Sequence, residues 1–187
     1  MIERWEIPGV LVVEPSRHGD ERGFFSETFR ASWFEELGLG LPWVQDNHSR
    51  SAAAGTMRGL HFQIGDAAMD KLVRVTRGAV LDVAVDLRVG SPWFGRHVAV
   101  ELSEANWRQL FVPKGFAHGF MTLEPDSEVV YKVSAYYAQE AERGLRFDDP
   151  ALGIPWPLSG DDVIVNDRDR SWPPLAELPG FFEFGGA

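Results

Sequence analysis

Apolar and polar positions alternate in short runs along most of the chain, and Gly, Pro, Asp and Ser punctuate the runs. Alternation sends successive side chains to opposite faces of a strand, so the pattern predicts an all-β protein. "GVLVVEP" predicts an early strand, and "KLVRVTRGAVLDVAVDLRVGSPWFGRHVAVELS" predicts three, broken at Arg77-Gly78 and at "GSPWFG". "RQLFVP", "GFMTL" and "EVVYKVSAYY" follow, a regular spacing that suggests a sandwich or barrel. In "VLDVAVDLR" one face carries Leu81, Val83, Val85 and Leu87, and the other carries Asp82, Ala84 and Asp86, expected on a solvated or hydrogen-bonded sheet face. "GTMRGLHFQIG" reads as a strand with Leu60 and Phe62 on one side and His61 on the other. "SWFEELG" predicts a short helix, with Ser32 and Glu35 at capping-box spacing and Gly38 suited to the left-handed C-terminal position. From "DDPALGIPWPLSG" onward the chain is rich in Pro, Gly and acid, which predicts an extended segment draped over the β-core. The expected organisation is one domain over residues 1–187: N-terminal strands and a short helix in 1–50, a barrel core in 51–137 and a C-terminal wrap in 138–187.

Composition narrows the function classes. At 187 residues and 44% hydrophobic content the chain can build a substantial single core. No apolar run approaches the ~20 residues needed to span a bilayer, and "MIERWEIPGV" lacks a signal-peptide layout, so a cytoplasmic protein without a membrane partner is expected. The absence of cysteine excludes disulfides, thiolate metal sites and a cysteine nucleophile. A net charge of −10 argues against a nucleic-acid polymer as partner. A small anion held where arginines converge remains open.

Of five histidines, two stand in structured contexts: His61, six residues after Gly55, and His118, which closes "PKGFAH". These segments resemble the paired signatures of the cupin superfamily, G-x5-H-x-H and P-x-G-x2-H. Gln63 replaces the second histidine, and no acid stands at the usual place in "IGDAAM", where Asp66 comes too early. A first-row metal needs about three good ligands, so a cupin-like barrel without metal or other cofactor is expected. An imidazole with a pKa near ~6.5 suits proton abstraction at neutral pH, worth roughly 10²–10⁴ in rate. For a proton on carbon beside a ketone, the enolate oxygen needs a cation, for which Lys71 is a candidate, and return of a proton from the other face needs an acid, for which Tyr131 is a candidate. A strand-edge lysine and a core tyrosine are the ordinary alternatives. Arg22, Arg58 and Arg168 can bind phosphate oxygens in bidentate fashion or form surface ion pairs, and one tyrosine of "AYYAQ" can stack on a base.

Eight segments carry a family resemblance: "DERGFFSETFR", "QDNHSRS", "MRGLHFQ", "KLVRVTRGAVLDVAVDLRVGSP", "VPKGFAHGF", "VVYKVSAYY", "ERGLRFDDPALGIPWP" and "NDRDR". Together, in order and with consistent spacing from about residue 4 to residue 175, they resemble the dTDP-4-dehydrorhamnose 3,5-epimerase family. The resemblance implies a cupin-type jelly-roll barrel, a homodimer with exchanged strands, no metal, and epimerisation at carbons 3 and 5 of a dTDP-linked 4-keto-6-deoxyhexose on the way to dTDP-L-rhamnose. It also implies site residues. His61 falls on the general base, Asp169 on the carboxylate that orients it, Lys71 on the residue at the keto oxygen and Tyr131 on the acid of the opposite face. Arg22, Glu27, Gln45, Asn47, Arg58, His118 and Glu142 fall around the nucleotide and sugar, Tyr137 falls on the ring that stacks on thymine, and Arg168 stands where the family usually has Lys. In "NDRDR", Asp167 is the alternative partner for His61, and Asn166 replaces the usual Ser. Asp70, before Lys71, either places an acid beside the enolate cation or points to solvent. The competing readings are a metal-dependent cupin, a non-catalytic sugar-nucleotide binder and an epimerase of one carbon only.

Overall fold

The computed structural model describes residues 1–4 and 7–185. In chain order the elements are β1 (Ile2–Arg4), β2 (Leu11–Val13), β3 (His18–Asp20), β4 (Gly23–Phe25), α1 (Ala31–Glu35), β5 (Gln45–Ser51), β6 (Met57–Gln63), β7 (Lys71–Arg77) and β8 (Ala79–Asp86). They continue with β9 (Arg88–Val89), β10 (His97–Ser103), β11 (Gln109–Val112), β12 (Phe116–Thr122), β13 (Ser127–Val133), β14 (Glu142–Gly144), α2 (Asp167–Arg170) and β15 (Phe182–Glu183). A six-stranded sheet, β1-β2-β11-β7-β13-β5, faces a five-stranded sheet, β10-β8-β12-β6-β14. This is the jelly roll expected from the sequence.

Three apolar layers follow from the alternation. Between the sheets lie Val73, Val75, Val80, Ala84, Leu110, Phe120 and Val129. Outside the five-stranded sheet, Leu60, Phe62, Val83 and Val85 pack with Leu145, Leu152 and Val163, and the C-terminal segment adds Trp156, Leu175 and Phe181. Outside the six-stranded sheet, Leu11, Leu72 and Phe111 pack beneath Phe34 of α1 and Trp43.

Two local expectations are corrected. Asp82 and Asp86 are not solvated: they share the inward face of β8 with Val80 and Ala84 and are fully buried. Each is hydrogen-bonded, Asp82 to His118 and Asp86 to Arg88 and Ser91, which makes the second half of that expectation the correct one. The α1 capping box does not form, because the helix starts two residues early: Arg30 is the N-cap, with no side-chain cap bond, and Ser32 is already inside the first turn. Its C-terminus is as read: Gly38, at φ +79°, closes a Schellman pair, Leu39 N–H to Phe34 O and Gly38 N–H to Glu35 O.

The detail of the sheets that most shapes the interior is a bulge. Across the β12–β6 pair, His118 faces His61 while Phe120 faces Arg58, so two steps on β12 match three on β6. Strict alternation would put Arg58 with Leu60 and Phe62, away from His61; the extra residue turns both Arg58 and His61 inward. Gly59 absorbs it at φ +120°, where a Cβ would lie 2.6 Å from the Gly119 Cα.

Candidate active site

The space between the sheets is a cavity of about 290 Å³ lined by residues that include Ser49, Arg58, His61, Lys71, His118, Tyr131, Glu142 and Asp169. A joined hollow of about 230 Å³ adds Gln45, Asn47 and Met69 and shares His61, Lys71, Tyr131, Tyr137 and Glu142. Each strand contributes by its inward register. From the six-stranded sheet come Gln45, Asn47 and Ser49 of β5, Lys71 of β7 and Tyr131 of β13. The five-stranded sheet contributes Arg58 and His61 of β6, His118 of β12 and Glu142 of β14.

His61 Nε2 lies 2.7 Å from Oδ1 of Asp169, so Asp169, not Asp167, is its partner. The carboxylate is delivered by α2, whose N-terminus is capped by the Asn166 side chain accepting from the Asp169 N–H at 2.7 Å. Its other oxygen accepts from the Gly59 N–H at 3.1 Å. Burial alone would raise the Asp169 pKa; the His61 hydrogen bond and charge, the Gly59 N–H and Arg168 outweigh it and hold the group below the ordinary value. Trp172 stands edge-on to His61, ring centroids 6.3 Å apart.

A second imidazole–carboxylate pair lies deeper. His118 Nε2 is 2.8 Å from Asp82 Oδ1, and burial pushes its pKa down against the pull of Asp82. Lys71 donates to the His61 carbonyl at 3.3 Å. Burial pushes its ammonium down to about 8, against Asp82 and Glu142. Burial raises the Tyr131 phenol, so it keeps its proton at neutral pH. At the mouth, the Tyr137 hydroxyl donates to Glu142 at 2.9 Å, and Arg168 pairs with the same Glu142 oxygen at 2.7 Å. Arg58 is held by Ser51 Oγ at 3.1 Å.

Two expected residues are not brought into the cavity by their own chain. Arg22 lies on the exposed β3–β4 hairpin paired with Asp20, and Glu27 pairs with Arg30. Asp70 neither points to solvent nor accompanies Lys71: it is buried and accepts from Ser134 Oγ and the Lys114 N–H. Gln63, at the second cupin histidine position, is engaged at both ends of its amide, donating to the Ala67 carbonyl and accepting from the Ala138 N–H. With His61 and His118 each committed through Nε2 to a carboxylate, the polar groups are arranged for proton handling.

Asp82, Asn166 and Ser49 were not singled out as site residues from the sequence. Asp82 and Ser49 sit on inward faces, so a polar residue at an inward position was the available signal, and Asn166 was legible only as a replacement for Ser.

Jelly-roll topology and a cavity walled by two imidazole–carboxylate pairs define a cupin-like barrel built for acid–base chemistry. The family model described as dTDP-4-dehydrorhamnose 3,5-epimerase matches residues 4–177. The dTDP-4-dehydrorhamnose 3,5-epimerase of Sinorhizobium fredii is 52% identical over 178 residues, covering 95% of this chain and 91% of that one. The crystal structure of the dTDP-6-deoxy-D-glucose-3,5-epimerase of Legionella pneumophila, in complex with dTDP-4-keto-L-rhamnose, superposes with a TM-score of 0.94 at 43% identity, covering 100% of this chain and 99% of that one. The enzyme of Bacillus anthracis, with TDP and PPi bound, gives 0.87 at 45% identity over 93% of this chain and 99% of that one. The chain belongs to the dTDP-4-dehydrorhamnose 3,5-epimerase family and is an isomerase.

Proposed function

We propose that the cavity inverts carbons 3 and 5 of a dTDP-linked 4-keto-6-deoxyhexose, the step that leads toward dTDP-L-rhamnose. The observation that carries this reading is the placement of a base and an acid on facing walls: His61 on β6 of one sheet, Tyr131 on β13 of the other. A proton leaves carbon beside the ketone to His61, whose developing imidazolium is stabilised by Asp169. The electron pair moves onto the ketone oxygen, where the Lys71 ammonium stabilises the enolate. Tyr131 then protonates the carbon from the opposite side, and configuration inverts.

In this reading Arg58 and Arg168 hold the diphosphate, His118 and Glu142 contact the sugar-nucleotide, and the base stacks on Tyr137 beside Gln45 and Asn47. Arg22 and Glu27 serve a second subunit's cavity in a homodimer: their hairpin region also exposes Phe24 and Phe25, 57% and 72% accessible. Light scattering of the purified protein tests that assembly, and a monomer at enzyme-active concentration would overturn it. A nucleotide-sugar substrate supports a cytoplasmic location; among the described residues no helix is long and apolar enough to cross a membrane.

The test is incubation with dTDP-4-keto-6-deoxy-D-glucose and assignment of the product by NMR. Inversion at both carbons is expected. Inversion at one carbon would make it a single-carbon epimerase, and binding without turnover would overturn the reading.

A further inference from the structure

The segment that carries Tyr137 has no sheet to hold it. β13 ends at Val133, and residues 134–138 run without regular structure to the single turn Gln139–Ala141. Tyr136 and Tyr137 are 68% and 52% exposed, so packing does little to fix either ring. Yet three of the four polar groups on the two peptides flanking Tyr137 are bonded, each to a side-chain amide. Gln63 Nε2 donates to the Tyr136 carbonyl at 3.3 Å, Gln45 Oε1 accepts from the Tyr137 N–H at 3.2 Å, and Gln63 Oε1 accepts from the Ala138 N–H at 2.8 Å.

Gln63 is the centre of this arrangement. It closes β6, is 6% exposed, and its Nε2 also donates to the Ala67 carbonyl at 2.9 Å. An amide supplies two donors and an acceptor from one planar group, where a carboxylate can only accept and a thioether does little of either. One side chain therefore bonds the peptides on both sides of Tyr137, as a neighbouring strand would. With both donors used inside the chain, Gln63 has none left for a ligand. The Tyr137 ring is fixed at its tip as well, where the hydroxyl donates to Glu142 at 2.9 Å, and Glu142 stands opposite Gln63 in the β6–β14 pair. The same bonds decide which tyrosine of the pair turns inward. Tyr137 lines both hollows of the site, whereas Tyr136 lines a separate groove with Ile64 and Ala67. A ring that must be ordered on binding costs affinity, and a ring already held does not.

Resting on the proposed sugar-nucleotide reading, we infer that Gln63 is a positioning residue that holds Tyr137 in its stacking orientation before the nucleotide arrives. It sets affinity for the base and takes no part in proton transfer. The position of the second cupin histidine thus serves the nucleotide end of the site rather than the reacting carbons.

The experiment is calorimetric titration with dTDP and with pyrophosphate, beside steady-state kinetics, on wild type, Gln63→Met, Gln63→Glu, Tyr137→Ala and the double variant Gln63→Met/Tyr137→Ala. Methionine keeps the volume and loses all three bonds; glutamate keeps the Ala138 bond and sets an oxygen against two carbonyls. Tyr137→Ala is expected to weaken dTDP about ten- to a hundredfold, the loss of one base–aromatic stack. Each Gln63 variant is expected to weaken dTDP about five- to thirtyfold and to raise KM, with kcat and pyrophosphate affinity as in wild type. In the double variant Gln63→Met adds nothing to Tyr137→Ala, because it acts through that ring. A merely structural glutamine would lower pyrophosphate affinity and kcat too, and its effect would persist without Tyr137; either result, or unchanged dTDP affinity in Gln63→Met, would overturn the inference. Hydrogen exchange of the ligand-free wild type is the second measurement. The Tyr137 and Ala138 amides are expected to be protected like those of β13, and exchange at the free-chain rate would overturn the inference equally. Wild-type dTDP affinity in Tyr137→Ala would instead overturn the stacking role that the functional reading gives that ring.

Discussion

His61 and Asp169, 108 positions apart in the chain, meet at 2.7 Å between Nε2 and Oδ1. A carboxylate held low by that hydrogen bond fixes the ring tautomer, leaving the lone pair on the other ring nitrogen. Asp169→Asn removes the charge that stabilises the imidazolium and is expected to slow carbon–hydrogen exchange by about 10²–10⁴ while dTDP affinity stays within roughly threefold. Single-turnover exchange and calorimetric titration separate the two effects; equal loss of binding and exchange would assign Asp169 a merely structural role.

Tyr131 is expected to act after the proton has left. Its burial keeps the phenol protonated, and its sheet faces that of His61. Tyr131→Phe should still take up deuterium from heavy water while inverted product falls by roughly 10² or more. Product analysis by NMR distinguishes this from simultaneous loss of both, which would count against protonation from the facing wall.

Lys71 is expected to set the alkaline limit. With its pKa pushed down to about 8, the ammonium is present below that pH and lost above it, so kcat/KM should fall as pH rises through about 8. The stability effect has the opposite sign. Between about 8 and the ordinary 10.5 the unfolded chain holds a proton that the folded chain has released, so this group makes stability rise with pH in that window and disfavours the fold below it. Lys71→Met is therefore expected to raise the pH 7 melting stability by about 1 kcal/mol while abolishing turnover. A thermal melt beside an activity assay checks both.

How far these residues were legible from the sequence differs from one to the next. The strands over residues 71–112 fall where the alternation puts them, whereas β12 begins at Phe116, ahead of "GFMTL", and is buried along its length, and β13 ends at Val133, short of the tyrosine pair. β5 was not read as a strand from its pattern, because "QDNHSRS" is polar on both faces: one meets solvent and the other a wet cavity. Alternation also places Arg58 away from His61, and only the bulge at Gly59 reverses this. Nor does period reveal α2, a single turn held by the Asn166 cap and by contacts to β6 rather than by any apolar stripe. Asp82 read as an ordinary sheet aspartate because nothing local to β8 reports the His118 imidazole across the strand pair. The family resemblance supplied what pattern could not, since it carries the tertiary pairing of distant segments.

Gly144 is one such silent position. A Cβ there would lie 2.2 Å from the indole of Trp172, the ring that stands against His61. Gly144→Ala must displace that indole, and it is expected to cost about 1–3 kcal/mol in stability and to lower kcat more than it raises KM. Denaturant melts with steady-state kinetics check it; a variant with unchanged kcat would show that Trp172 does not hold the imidazole in place.

The central claim, that His61 removes protons from both carbons flanking the ketone, is tested most directly by proton NMR of dTDP-4-keto-6-deoxy-D-glucose in heavy water with wild type and with His61→Ala. Deuterium should enter carbons 3 and 5 with wild type and neither with the variant, whose dTDP affinity remains. Exchange at near wild-type rate in His61→Ala would contradict the account.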